Sequence, residues 1–291
     1  MGMKKVTEIF DQKPRTFSFE FFPPKTPKGL ERLYQTAEAL AGKADFFNVT
    51  YGAGGSSSKA TFEIVVELQK RFNLPVVHHF TCIKHTYDEI RRRLEQFKQA
   101  DVRNILALRG DPPADDPDYV QGPDEPHYAY ELIRMIREHG DFFAIGVPGF
   151  PEGHPNTPTK ELDSEYLKVK QDAGADFVIT QLFFDNNIYY EFRDRVRKVG
   201  VTLRLIPGIL IITDYQKLID FCKTCSATIP DFIKERFEPV ADDPEETRKR
   251  GIDWAIQQCQ DLLDNGCPGL HFYCLNKTEP VTTVYNALDK D

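Results

Sequence analysis

The sequence predicts an α/β fold, a parallel (β/α)₈ TIM barrel with additional helices between the seventh and eighth strands. Three observations predict it. Eight short runs rich in Val, Ile and Phe recur along the chain, and six of their seven start-to-start spacings lie between 26 and 38 residues. The segments between the runs carry helical periodicity. The runs are apolar on both faces, as in parallel strands buried beneath helices. A doubly wound sheet satisfies the same counts, because counting runs does not establish closure.

Taken in order, the first run is FSFEFF (17–22), stopped by Pro23 and Pro24. FFNVTYG (46–52) leads through a glycine-rich turn into SKATFEIVVELQKRF, with Ser58 as N-cap and Val65, Leu68 and Phe72 on one stripe. VVHHFTCI (76–83) precedes TYDEIRRRLEQFKQA, where Thr86 and Glu89 form a capping box and Ile90, Leu94 and Phe97 mark the apolar face. NILALRGD (104–111) runs into a Pro- and Asp-rich stretch (111–126), read as a long surface loop. FFAIGVPGF (142–150) is followed by a helix with Thr157 as N-cap and Pro158 at its first position. FVITQLFFD (177–185) precedes a helix bearing Tyr189, Phe192 and Val196 and ended by Gly200. Beyond LRLIPGILII (203–212) lie additional helices, PEETRKRGIDWAIQQCQDLLDNG being the longest, before GLHFYCLN (269–276). No compositional break marks a linker, so residues 1–291 read as one domain.

Composition narrows the function. The chain is 41% hydrophobic and 28% charged, with a net charge of −8 and no basic run, which argues against a nucleic-acid partner. No apolar stretch approaches the ~20 residues of a membrane span, and the N-terminus lacks a signal core, so a cytoplasmic protein is expected. Cys222 and Cys225 form a lone CxxC without the second pair of a zinc ribbon, and read as idle thiols. No metal site is expected.

Polar residues gather where the strands end, the end at which barrels carry their sites. Glu20 is the most pointed of them. It shares strand parity with Ser18, opposite Phe17, Phe19 and Phe21, so the phenylalanines should lie under helices and the carboxyl should point into the barrel. A buried carboxyl among aromatics is expected to have a raised pKa and to serve as a general acid; an incidental rim carboxylate is the plainer alternative. Arg109, Gly110 and Asp111 form a second candidate: either the charges pair with each other, or Gly110 lets a ligand approach the backbone. Gly52, Gly54 and Gly55 could hold an anion before a helix, or simply turn the chain. Asp163, Tyr166 and Lys170 share one helix face, for which a solvated stripe is the ordinary explanation.

In this order, SFEFFPPKT, NVTYGA, HFTCI, ALRGDPP, GFPEGHP, DAGADFVITQLFFD, IPGIL and HFYCLN resemble the methylenetetrahydrofolate reductases, flavoproteins with a (β/α)₈ catalytic domain, over about residues 16–288. The resemblance implies bound FAD reduced by NADH or NADPH, and 5,10-methylenetetrahydrofolate then reduced to 5-methyltetrahydrofolate. Glu20 matches the family's acid, which opens the folate's five-membered ring. Asp111 matches an aspartate beside flavin and pterin, Gln181 a pterin-binding glutamine, and Phe221 an aromatic that packs on folate and nicotinamide. Thr50, Tyr51, His79, Arg109, Gly110, Asp111, Phe150, His154, Asp163, Tyr166 and Lys170 fall at flavin-contacting positions.

Some positions depart from the family. Phe150 stands where Tyr is frequent, Tyr166 where some members have Asn, Lys217 where some have Gln, and Lys277 in place of an Arg that contacts substrate. The resemblance further implies a homo-oligomer, leaves open a partner subunit that delivers electrons, and leads us to expect no regulatory domain within this chain. Two rivals stay open: a non-redox folate-binding or methyl-transfer barrel, and a barrel lyase acting on a phosphorylated substrate.

Overall fold

The computed structural model describes residues 2–51, 58–112, 116 and 118–290. Eight strands run in chain order around the molecule: β1 (Thr16–Phe21), β2 (Phe46–Val49), β3 (Val76–Thr81), β4 (Asn104–Leu108), β5 (Ala144–Gly149), β6 (Phe177–Leu182), β7 (Arg204–Ile209) and β8 (Gly269–Tyr273). Every neighbouring pair is parallel, and β1 pairs with both β2 and β8, so the sheet is closed. Closure excludes the doubly wound alternative. Every strand but β1 is shorter than its apolar run, and the surplus residues lie chiefly in the connections at the strand ends.

The barrel is wrapped by α2 (Pro27–Ala41), α3 (Ser58–Phe72), α4 (Tyr87–Gln99), α5 (Ala129–Arg137), α6 (Lys160–Asp172), α7 (Asn186–Lys198) and α11 (Glu279–Ala287). Three further helices, α8 (Tyr215–Cys225), α9 (Asp231–Phe237) and α10 (Pro244–Asp264), fill the connection from β7 to β8, as the sequence predicts. The Thr86–Glu89 capping box forms in full at the start of α4. Two predicted caps are displaced. The first helical residue of α3 is Ser58 itself, so it is not the cap. The cap of α6 is Thr159, whose hydroxyl accepts from Leu162 N–H; Thr157 and Pro158 lie before it, and Thr157 N–H bonds to the His154 carbonyl. Two threonines flank one proline there, and the second is the one that caps.

The outward faces of the strands pack under the helices. Phe17, Phe19 and Phe21 are buried there, with Phe21 edge-on to Phe47 and Phe19 stacked on Phe272. Each ring buried this way contributes about 1.5–3 kcal/mol. A second cluster inside the barrel joins Phe46, Val77, Leu106, Ala144, Phe177, Ile179 and Ile206. It is sealed by a helix that pattern reading did not single out, α1 (Val6–Gln12). Val6 and Phe10 enter the cluster, and Phe10 meets Phe46 and Phe177 edge-on. Buried Asn104 holds α1 in place: its Oδ1 accepts from Val6 N–H at 2.7 Å and its Nδ2 donates to the Lys4 carbonyl.

Candidate functional site

Register places the lumen-facing residues. Ser18 and Glu20 of β1 pair with Phe46 and Asn48 of β2 on one side, and with His271 and Tyr273 of β8 on the other. The expected parity holds, and Glu20 points inward. It meets two histidines there. Its Oε2 accepts a hydrogen bond from His271 Nε2 at 3.1 Å and lies 3.3 Å from His79 Nε2. His271 is fully buried, and its Nδ1 lies 2.9 Å from Ser18 Oγ. An ionised carboxylate can only accept, so His271 Nε2–H is the donor to Glu20, while Ser18 Oγ fixes the other side of the ring.

This arrangement corrects the expected charge state of Glu20. Burial pushes its carboxyl up, but the charge of His79 and the hydrogen bond from His271 outweigh burial and hold it below the ordinary carboxylate value. Aromatic neighbours in the local sequence pointed the other way; the deciding groups come from β3 and β8. Burial lowers His79 to about 4 despite the attraction of Glu20. Tyr273 closes the same wall, donating from its hydroxyl to the Thr180 carbonyl at 2.7 Å. Its ring leaves no room for a side chain at residue 208: a Cβ on Gly208 would lie 2.3 Å from that carbonyl and 2.7 Å from the ring.

A second group forms where β4 and β5 end. Phe150 and His154 meet edge-on at 4.6 Å between ring centroids, and Lys170 lies over the Phe150 ring. Burial and the charge of Lys170 lower the His154 imidazole, whereas Asp111 raises it, so the tip of β4 faces the loop after β5. Asp163 is buried, which raises its carboxyl against the pull of Lys170; Lys170 is itself lowered by burial. The predicted solvated stripe is therefore corrected: Asp163 is inside, Lys170 half-buried, and Tyr166 alone exposed. Among the described residues no ion pair joins Arg109 to Asp111, and both are exposed. Gly110 has φ +88°, and a Cβ there would lie 2.6 Å from Ile83, so the turn itself demands glycine.

The remaining predicted residues stand around these two groups. Thr50 N–H donates to the Phe21 carbonyl just above β2, and the Tyr51 hydroxyl bonds His85 Nε2 at 2.9 Å. Gln181 is half-buried on β6 and its Oε1 accepts from Leu182 N–H. Phe221 is 37% exposed on α8. Lys277 Nζ donates to Thr213 Oγ1 and lines a cleft of ≈ 560 Å³ with Arg32 and Arg248. Lys217 pairs with Asp214 at the surface. Gly52, Gly54 and Gly55 lie outside the described residues. Burial raises the thiols of Cys222, to about 12, and Cys225. Reading the sequence missed Asn48 and His271 as site residues. The available signal was the one that singled out Glu20, a polar residue at inward parity in an apolar strand.

Fold and site together define a (β/α)₈ barrel whose strand ends carry a carboxylate held by histidines, with a second polar group beside it. The chain matches the family model for methylenetetrahydrofolate reductase over residues 5–289, and it belongs to that family. It is 36% identical over 283 residues to methylenetetrahydrofolate reductase (NADH) 1 of Arabidopsis thaliana, covering 94% of this chain and 48% of that protein. It is 35% identical over 273 residues to the 5,10-methylenetetrahydrofolate reductase of Escherichia coli K12, covering 93% and 90%. The chain thus spans about half the length of the plant, and similarly the yeast, relatives it matches. Among solved structures, an uncharacterised Clostridium thermocellum protein that binds two copies of 5-methyl-5,6,7,8-tetrahydrofolic acid superposes with TM-score 0.65 at 14% identity, covering 98% of this chain and 97% of that one. A 2,3-dimethylmalate lyase superposes with TM-score 0.52 at 10% identity, covering 97% and 81%. These two likenesses show the fold alone.

Proposed function

We propose that this chain reduces 5,10-methylenetetrahydrofolate to 5-methyltetrahydrofolate, with NADH or NADPH as donor and FAD as the bound carrier. The observation that carries the reading is Glu20, set among His79, His271 and Ser18 at the strand ends of a chain of this family. When bound, FAD would accept a hydride and pass it on.

The residues fit FAD in kind. Arg109, His154 and Lys170 offer donors suited to a pyrophosphate, and Asp163 offers an acceptor for a ribose hydroxyl. Among the described residues, neither Arg109 nor Lys170 has a carboxylate within ion-pair distance, so either cation remains free to meet an anion. Thr50, Tyr51, Gly110, Phe150 and Tyr166 border the same side.

Glu20 holds and moves the proton. In the chain alone its carboxylate is ionised at neutral pH. A pterin ring covering the lumen mouth strengthens the desolvation that already opposes the histidines, and so raises the carboxyl toward the protonated form that a general acid needs. His271 and Ser18 keep the carboxyl oriented. Asp111, Gln181, Phe221 and Lys277 orient the folate.

Relatives named for NADH and for NADPH both occur, so the assay has to read the donor as well as the reaction. Anaerobic mixing of the FAD-loaded protein with each nucleotide, then with methylenetetrahydrofolate, tests the reading. Flavin bleaching followed by recovery on folate addition is expected. Failure to retain FAD would favour the non-redox folate-binding barrel, and bleaching without recovery would remove the folate from the reaction.

A further inference from the structure

Three polar atoms in the polar part of the lumen, Asn48 Nδ2 and Oδ1 and Thr81 Oγ1, have no hydrogen-bond partner among the described residues, and a fourth, His79 Nε2, forms no hydrogen bond although Glu20 Oε2 lies 3.3 Å away. Leaving such a group buried and unpaired costs about 1–3 kcal/mol, so the three without any partner call for a physical account. The barrel's topology brings them to one place. Glu20 on β1 and His79 on β3 touch across β2, and Asn48 is the lumen-facing residue of β2 that pairs with Glu20. Thr81 is the next inward residue above His79 on β3.

Asn48 is fully buried, and its inward neighbour two residues below is Phe46, part of the apolar cluster. An amide at that level offers a donor and an acceptor without adding charge. The groups facing Glu20 are His79 from β3, His271 and Tyr273 from β8, and Cys274 just beyond β8, whose thiol donates to the Glu20 carbonyl. Burial keeps Tyr273 and Cys274 in their neutral forms.

We propose that Asn48 is a positioning residue for the Glu20–His79 pair, its amide holding an internal water that bridges to both. An internal water needs two to four polar partners, and Asn48, His79 and Glu20 supply them. Asn48 Nδ2–H and His79 Nε2–H donate to the water oxygen, and the water donates to the Glu20 carboxylate. The bridge orients the imidazole toward the carboxylate and stabilises its charged form. The consequence for turnover rests on the reading of Glu20 as the acid; the bridge itself does not.

The test is an NMR titration of the folded chain, following the Glu20 carboxyl carbon and the His79 ring nitrogens in the native protein, Asn48→Leu and Asn48→Ser. In Asn48→Leu the Glu20 midpoint is expected to rise by about one pH unit, with Asn48→Ser falling between. A Glu20 midpoint unmoved in a variant of native thermal stability would overturn the proposal. Should Asn48→Leu not fold, Asn48→Ser carries the same comparison, a raised midpoint supporting the bridge and an unmoved one overturning it. A moved midpoint with an unchanged pH profile for folate reduction supports the positioning role, and takes the acid's role away from Glu20.

Discussion

The lumen of this barrel is divided into two unlike parts built from the same strands. Phe46, Val77, Phe177 and Ile206 form an apolar part closed by Val6 and Phe10 of α1. Glu20, Asn48, His79 and His271 form a polar part in which hydrogen bonds are short in number and charges sit close. On β2 and β3 the change takes two residues, Phe46 to Asn48 and Val77 to His79. The apolar part can be packed to satisfaction and holds the barrel together; the polar part leaves groups unsatisfied, as sites that bind something commonly do.

The sharpest way to break this comparison is Glu20→Gln. Folate reduction is expected to fall by about 10²–10⁴-fold, the range of a general acid, while FAD binding and oxidation of NAD(P)H persist. Rapid-mixing kinetics of the two half-reactions would show it, and near-normal folate turnover would sink the assignment. The counterpart in the apolar part is Phe177→Ala, which empties a fully buried position beneath the site. It should cost about 3–5 kcal/mol in urea unfolding, with the pH profile of the surviving activity unmoved. A shifted profile would mean that the two parts are coupled.

The smallest effect concerns neighbours facing opposite sides of β3. His79 looks into the lumen, whereas His78 lies outside it, 4.5 Å from the Phe97 ring of α4, with neither ring nitrogen partnered among the described residues. Burial lowers His78 to about 3 and His79 to about 4, from an ordinary value of 6.5. The folded values lie below the unfolded one, so the unfolded chain takes up protons first. Stability from these residues is fully present above about pH 6.5 and is lost as pH falls toward 4. Each histidine should contribute a slope of about 1 kcal/mol per pH unit in that window. Urea midpoints at several pH values should show the slope roughly halved in His78→Leu, and an unchanged slope would locate the acid sensitivity elsewhere.

Much of this molecule was legible in the sequence because strand and helix patterns are local. Parity along FSFEFF placed Glu20 inward and its phenylalanines outward, and the Thr86–Glu89 box and the Ile90, Leu94, Phe97 face were read correctly. Where two residues suited the same role, the local pattern picked Thr157 as a cap and the structure uses Thr159. Nor did the pattern single out α1, a seven-residue helix whose value lies in the lumen it closes. By itself the sequence determined the repeat, the family and the carboxylate at the rim. Only the tertiary structure decided closure, through the β1–β8 pairing, and the charge state of Glu20, through His79 of β3 and His271 of β8. The physical reason is the same for both: periodicity is a property of neighbours along the chain, whereas sheet closure and proton affinity depend on groups that meet only in space.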